Sequence, residues 1–319
     1  MSVKLYLVIP CYNEEEVLPE TVARLQEKMA ALTEAGMISP QSRVVFVDDG
    51  SKDGTWELIR GAHERDPLFR GIRLTRNRGH QNALLAGMMT VRGECDAVIS
   101  LDADLQDDIH AMDDMIRKYN EGFDVVYGVR SSRKQDSLLK RATAQGFYRL
   151  IRAMGVEIVY NHADFRLMSA RALAGLAEFR EVNLFLRGLV PLVGYRSTTV
   201  YYERGRRTAG KTKYPFHKMV SFAWEGITSL SVRPIRMIAS LGGFIFLGSI
   251  AVLIYSLIRH LGGHTVSGWT SLVFSIWALG GIQLLALGII GEYVGKIYLE
   301  VKRRPTYLVE EYLKDPEDT

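Results

Sequence analysis

Between residues 3 and 128 the chain repeats one pattern: a short apolar run, a polar turn, then a segment with helical period. The apolar runs are Val3–Ile9, Val44–Val47, Gly71–Leu74, Ala97–Leu101 and Val125–Gly128, and the helical patterns occupy roughly 15–35, 55–65, 80–91 and 108–121. This βαβ rhythm predicts an α/β fold with a mostly parallel sheet and helices on both faces. Sheets of that kind bind ligands beyond the carboxyl ends of their strands.

The unusual polar residues gather at those ends. Pro10-Cys11-Tyr12-Asn13-Glu14 follows the first run, Asp48-Asp49-Gly50-Ser51 the second, Arg76-Asn77 the third and Asp102-Ala103-Asp104-Leu105-Gln106-Asp107 the fourth. Each group alone has an ordinary reading, because Asp, Gly and Ser are what turns and helix N-caps use, and a lone His80 reads as a surface or cap histidine. Two carboxylates one residue apart at a strand end are also hard oxygen ligands, suited to Mg²⁺ or Mn²⁺ on a diphosphate. Their meeting on one rim favours the second reading. No P-loop and no Gly-x-Gly-x-x-Gly follows a strand, which argues against a nucleoside triphosphatase or a dehydrogenase.

The mean hydropathy is +0.01 although 24% of the residues are charged, so apolar residues are concentrated somewhere. They lie near the C-terminus. Met237–Ile258 and Thr265–Gly291 contain no Asp, Glu, Lys or Arg. At ~1.5 Å per helical residue each crosses a ~30 Å hydrocarbon layer, so two transmembrane helices are expected. Arg204, Arg206, Arg207, Lys211, Lys213, Lys218, Arg233 and Arg236 precede the first run; Lys296, Lys302, Arg303 and Arg304 follow the second; only Arg259 lies between. The positive-inside rule then puts both chain ends in the cytoplasm of an inner or plasma membrane. Val3–Pro10 is too short for the core of a signal peptide. Cys11 and Cys95, the two cysteines, have no metal-ligand spacing and suit a reducing compartment. The net charge of +4 is modest and clusters beside the apolar runs, which suits anionic headgroups and not nucleic acid.

Gly128–Lys134 with Lys140 and Arg141 forms a basic loop, and Glu203–Tyr214 is a second basic loop with interspersed glycine. Met219, Phe222, Ala223, Gly226, Ile227 and Leu230 share one helical face, opposite Lys218, Ser221, Glu225 and Ser229, as in an interfacial amphipathic helix. The expected division is a cytoplasmic catalytic domain over 1–213, an interfacial segment over 214–236, a transmembrane hairpin over 237–292 and a cytoplasmic tail over 293–319.

In order, Val8–Glu15, Val47–Thr55, Arg76–Gln81, Asp102–Asp107, Tyr127–Arg130, Asp164–Met168 and two apolar runs closed by Lys302–Pro305 resemble the family-2 glycosyltransferases of the GT-A fold. The branch resembled is the polyprenyl-phosphate one, which includes dolichol-phosphate mannose synthases and bactoprenol glucosyltransferases. Asp108-Ile109-His110 departs from the Pro-containing turn often found there. The resemblance implies that Pro10, Tyr12, Glu14 and Asp49 hold the base and ribose, that Asp102 lies beside ribose and diphosphate, and that Asp104 with Gln106 holds Mg²⁺ or Mn²⁺. Arg130, Arg141, Arg204, Lys211 and Lys213 are the candidates for acceptor or donor phosphates. Asp104, Asp164 and Arg130 are the catalytic candidates, Asp164 either as a base or as the group that orients a cation such as Arg166.

The implied reaction is inverting transfer from a nucleotide sugar, UDP-linked in preference to GDP-mannose, to a polyprenyl phosphate at the membrane. Self-association is left open. Two alternatives stand beside it. A processive polysaccharide synthase shares the early motifs, but the chain has no Gln-x-x-Arg-Trp element, and two spans are few for a polymer channel. A catalytically silent membrane scaffold on a transferase fold is the other, and the intact Asp-x-Asp weighs against it.

Overall fold

The computed structural model describes residues 2–131, 162–182, 185–203, 227–228, 231–261 and 268–314. The chain forms two compact units, one of Met1–Tyr148, Glu157–Pro215 and Arg304–Thr319, the other of Arg149–Val156 and Phe216–Arg303.

The first unit is built on eight strands: β1 (Leu5–Cys11), β2 (Arg43–Asp48), β3 (Phe69–Leu74), β4 (Ala97–Ser100), β5 (Val125–Arg130), β6 (His162–Ser169), β7 (Ser197–Tyr202) and β8 (Val309–Leu313). They form one sheet in the order β7-β5-β6-β4-β1-β2-β3-β8. Its helices among the described residues are α1 (Leu18–Glu34), α2 (Thr55–Arg65), α3 (His80–Thr90), α4 (Ala111–Asn120), α5 (Ala170–Leu176) and α6 (Leu186–Leu192). The four central strands, β4-β1-β2-β3, are parallel as the βαβ rhythm predicts. They are buried on both faces: every residue of β1 and β4 is buried, as expected for strands covered by helices on each side. Helix α3 lies so close to the sheet that a Cβ on Gly87 would stand 2.4 Å from Val8 Cγ1 and 2.6 Å from Val47 Cγ2.

The flanks differ from the sequence expectation. β6 runs antiparallel between β4 and β5, and β5 pairs parallel with β7. Residues 293–319 do not form a simple tail. Residues 293–302 belong to a long helix of the second unit, while 309–313 return to the first unit as β8, antiparallel to β3. A five-residue strand carrying two glutamates has too weak an alternation to be read as a strand alone. Its anchor is the fully buried Arg70, whose Nη1 donates to Glu94 Oε2 at 2.7 Å and to Tyr312 Oη at 3.2 Å, while Tyr312 Oη donates to Glu94 at 3.0 Å.

The second unit holds α7 (Arg233–Leu261) and α8 (Trp269–Lys302). Residues 237–258 all lie in α7, and most of the second apolar run lies in α8, which continues past Gly291 to Lys302. Among the described residues one stretch, Leu279–Lys302, is long and apolar enough to cross a membrane. Leu284, Leu285 and Leu287 on α8, like Phe244 and Leu247 on α7, stand exposed. The expected interfacial segment falls mostly outside the described residues.

Because the Tyr312 hydroxyl bridges a buried guanidinium and its carboxylate partner, Tyr312→Phe should cost about 1–2 kcal/mol. In the purified full-length protein the thermal midpoint should fall by about 2–6 °C. An unchanged midpoint would remove β8 from the set of stabilising elements.

Candidate active site

The rim at the carboxyl ends of the central strands is assembled by loops that brace each other. After β1, Asn13 N donates to Ser51 Oγ at 3.0 Å, Lys52 N donates to Asn13 Oδ1 at 2.9 Å and Glu14 N donates to Thr55 Oγ1 at 2.9 Å, so the loops after β1 and β2 form one surface. Asn13 tolerates the left-handed conformation this needs, with φ of 53°. The loop after β2 in turn lies against the loop after β3. Gly50 has φ of +67°, and a Cβ there would stand 2.7 Å from Arg76 C and Asn77 N, so glycine is required on both counts.

Asp49 completes that brace. Its Oδ1 accepts from Arg78 N at 2.7 Å and its Oδ2 from Gly79 N at 2.8 Å. The residue expected on the base or ribose is therefore buried and already committed to holding the β3 loop. Its neighbour Asp48 is fully buried, with Oδ1 accepting from Ser51 N at 3.2 Å and Oδ2 without a hydrogen-bond partner. Burial raises its pKa from the ordinary carboxylate value, against the hydrogen bond from Ser51 and the charge of Arg73. Pro10 is buried at the end of β1, whereas Tyr12 opens to solvent at the rim and Glu14 is half-buried.

Past β4 come Asp102 and Asp104. The turn between them is held by Leu105 N donating to the Asp102 carbonyl at 3.2 Å and Gln106 N donating to Asp104 Oδ1 at 3.2 Å. Leu105 has φ of 43°, a left-handed conformation that costs a non-glycine residue about 1–3 kcal/mol and is kept by the burial of its side chain. Asp107, at the end of the same turn, is buried and accepts from Tyr202 Oη at 2.7 Å and from Arg130 Nη2 at 3.2 Å. Arg130 from β5 and Tyr202 from β7 thus fix the far end of the acidic segment.

The antiparallel strand β6 brings the remaining groups. Its register pairs Ala97 with Ser169 and Ser100 with Arg166, so continuing two residues further sets Asp102 opposite Asp164. The Ser100 hydroxyl, which donates to the Asp164 carbonyl, secures that end. Two guanidiniums and an imidazole converge on the Asp164 carboxylate. Arg166 Nη2 reaches Oδ1 at 3.0 Å, Arg187 Nη2 reaches Oδ2 at 3.0 Å, and His80 Nε2 lies 3.6 Å from Oδ2. Although burial pushes the other way, these partners hold Asp164 well below the usual carboxylate range. Arg187 comes from α6, whose first residue is also tied to the rim, with Leu186 N donating to Gln81 Oε1 at 2.9 Å.

His80 opens α3 and also stands 3.6 Å from Asp102 Oδ1. Crowding by protein, with Asp164, Asp107 and Asp104 nearby, raises the pKa of Asp102, and His80 opposes the rise. A cluster of mutually repelling carboxylates in hard-oxygen form suits a divalent cation. Among the described residues no three His, Cys, Asp or Glu side chains converge at metal-ligand spacing. The hard oxygens of Asp104 and its neighbours have the chemistry of a site for a divalent cation of the kind that takes one or two protein carboxylates and completes its shell with substrate phosphate and water.

Of the sequence-predicted residues, the rim brings together Tyr12, Glu14, Asp49, Asp102, Asp104, Gln106, Arg130 and Asp164, with Pro10 at its base; Arg141, Arg204, Lys211 and Lys213 lie outside the described residues. Three participants escape sequence reading. His80 alone reads as a surface residue, and Arg187 and Tyr202 sit in segments with no local motif. Only the sheet's topology aims them at the acids.

Comparisons with known proteins identify the family. The family model described as glycosyl transferase family 2 matches residues 6–176. A protein of Bacillus subtilis (strain 168) named as the glycosyltransferase YkoT is 53% identical over 306 residues, covering 96% of this chain and 91% of that protein. The SfII prophage-derived bactoprenol glucosyl transferase of Shigella flexneri is 40% identical over 315 residues, covering 96% and 97%. Among solved structures, the mannosyltransferase PcManGT from Pyrobaculum calidifontis, in complex with GDP-Man and Mn²⁺, has a TM-score of 0.50 at 16% identity, covering 94% of this chain and 85% of that one. With an α/β sheet of this order, a carboxylate rim and relatives along nearly its whole length, the chain belongs to glycosyl transferase family 2.

Proposed function

We propose that the chain transfers a single sugar from a nucleotide sugar, a UDP-sugar in preference to GDP-mannose, to polyprenyl phosphate at the cytoplasmic leaflet, with inversion at the anomeric carbon. The observation that carries this reading is the composition of the rim. Two carboxylates beyond β4 stand among His80, Arg130, Arg166 and Arg187, which suits an anionic donor and an anionic acceptor side by side. The near-full-length likeness to a protein named as a bactoprenol glucosyl transferase supports the choice of acceptor.

In this reading Pro10, Tyr12, Glu14 and Asp49 line the base and ribose, Asp49 mainly by shaping the loop it braces. Asp102 lies beside ribose and diphosphate. Asp104 with Gln106 would hold Mg²⁺ or Mn²⁺, which offsets charge growing on the leaving diphosphate; the Mn²⁺ with the Pyrobaculum enzyme is in keeping with that choice. Arg130, together with Arg141, Arg204, Lys211 and Lys213 from the basic loops, receives phosphate oxygens.

Asp164 does not serve as a base. A carboxylate held so low by Arg187, His80 and Arg166 is a weak proton acceptor at neutral pH. The acceptor does not require one, because a phosphate monoester with a second pKa of about 6 is already largely dianionic there. The task left to the protein is positioning and charge compensation. Asp164 does this by fixing the cations around it. A water-soluble donor and a lipid acceptor also account for a chain that joins a catalytic domain to apolar helices.

The purified protein, given UDP-glucose, undecaprenyl phosphate and Mn²⁺, should form a glucosylated lipid, and chelation should stop the reaction. Asp104→Asn should lower the rate at least about 100-fold with the fold intact. Near-normal turnover by that variant in saturating Mn²⁺ would sink the metal assignment, and absence of lipid product with every nucleotide sugar supplied would sink the reaction.

Topology is open to a separate check. Cys11 and Cys95 are buried, so a membrane-impermeant thiol reagent applied to intact cells should label Gly263→Cys and spare Asp315→Cys. The reverse pattern would put the rim on the wrong side of the membrane for a cytoplasmic donor.

A further inference from the structure

We propose that His80 is a positioning residue of the donor site, bridging Asp102 to the Asp164 cluster and thereby holding the Asp102 carboxylate where the donor needs it. The inference rests on the reading of Asp102 as a donor-side group.

Its basis is an asymmetry between the two carboxylates that His80 faces. Asp164 has Arg166 and Arg187 as well as His80, so it stays fixed without the histidine. Asp102 has no such reserve. Among the described residues, His80 at 3.6 Å is the basic side chain within ion-pair distance of its carboxylate, whereas Asp104, Asp107 and Asp164 all repel it. With a side chain 40% exposed, Asp102 is free to swing toward water once that attraction is gone. Where His80 sits is fixed independently of the acids it bridges. It is the first residue of α3 and directly follows Gly79, whose N–H donates to Asp49 Oδ2 at 2.8 Å.

The charged groups facing the imidazole come from four segments: Asp49 after β2, Asp102 after β4, Asp164 on β6 and Arg187 on α6. Three of the four are carboxylates, so the ring sits in a field that favours its cationic form. At 3.6 Å from Nε2 to either acid, both contacts are longer than an ordinary hydrogen bond, and an electrostatic tether of this length holds a side chain without locking it. His80 therefore acts through Asp102.

The test is a double-mutant cycle read by binding. UDP affinity in Mn²⁺ is measured by calorimetry on the full-length protein in detergent for wild type, His80→Gln, Asp102→Asn and the double variant. His80→Gln should weaken UDP binding about tenfold in the wild-type background and less than about twofold in the Asp102→Asn background. In transfer assays the same variant should raise the KM for donor and leave the KM for acceptor within about twofold. His80→Asn serves as a second variant where His80→Gln melts below wild type. Wild-type affinity in His80→Gln, an equal loss in both backgrounds, or a rise in acceptor KM alone would overturn the inference. Failure of the transferase reading looks different: a wild type that binds UDP and Mn²⁺ but makes no sugar lipid contradicts that reading, while the binding cycle still decides the role of His80. A wild type that does not bind UDP contradicts both.

Discussion

The arrangement of the rim depends on one carboxylate. Asp164 accepts from a fully buried arginine on its own strand and from Arg187 on α6, and it faces His80 at the start of α3. Two segments distant in sequence, α3 and α6, are thereby referred to one point on β6. A guanidinium as deeply buried as that of Arg166 is tolerable only with a charged partner, and breaking such a pair by removing one member costs about 3–5 kcal/mol. Asp164 is thus both a structural requirement of the sheet's face and the fixed origin from which the site's cations are set out.

That dual use explains why the strand carrying it runs antiparallel. A parallel β6 would present Asp164 to the opposite end of the sheet from Asp102. Reversing the strand between β4 and β5 lets its register deliver the carboxylate opposite the acidic turn. The same inserted strand separates β4 from β5, and Arg130 on β5 returns to the acidic segment through Asp107. The acids of the rim and their partners therefore come from both halves of the sheet, and the pairing of Asp107 with Arg130 and Tyr202 joins the halves at the rim.

Much of this is legible from residues alone. The parallel centre follows from the alternation of apolar runs and helical segments, because strands buried on both faces carry that signal strongly. The Asp-x-Asp turn and the Asp48-Asp49-Gly50-Ser51 loop can be set at strand ends because their chemistry is local. The rest is not local. β6 reads as an ordinary polar-apolar segment, and nothing in Asp164-Phe165-Arg166 states which way the strand runs. β8 owes its place to Arg70 and Glu94, more than 200 residues earlier in the chain. His80 resembles a surface histidine in sequence because its partners, Asp102 and Asp164, become neighbours only through the register of β4 and β6. Asp49 is expected at the base, yet its two backbone bonds to Arg78 and Gly79 make it first a brace of the loop.

In the proposed reaction the rim positions an acceptor already ionised, and Asp164 stays a counter-ion throughout. This is tested most directly by the pH dependence of transfer with two acceptors, the natural phosphate and a phosphonate analogue whose second ionisation lies at higher pH. With the phosphate, the acidic limb should fall at about pH 6. With the phosphonate it should move upward with the acceptor's own ionisation. An acidic limb that stays at the same pH for both would show that a group on the protein is titrating, and would contradict the account.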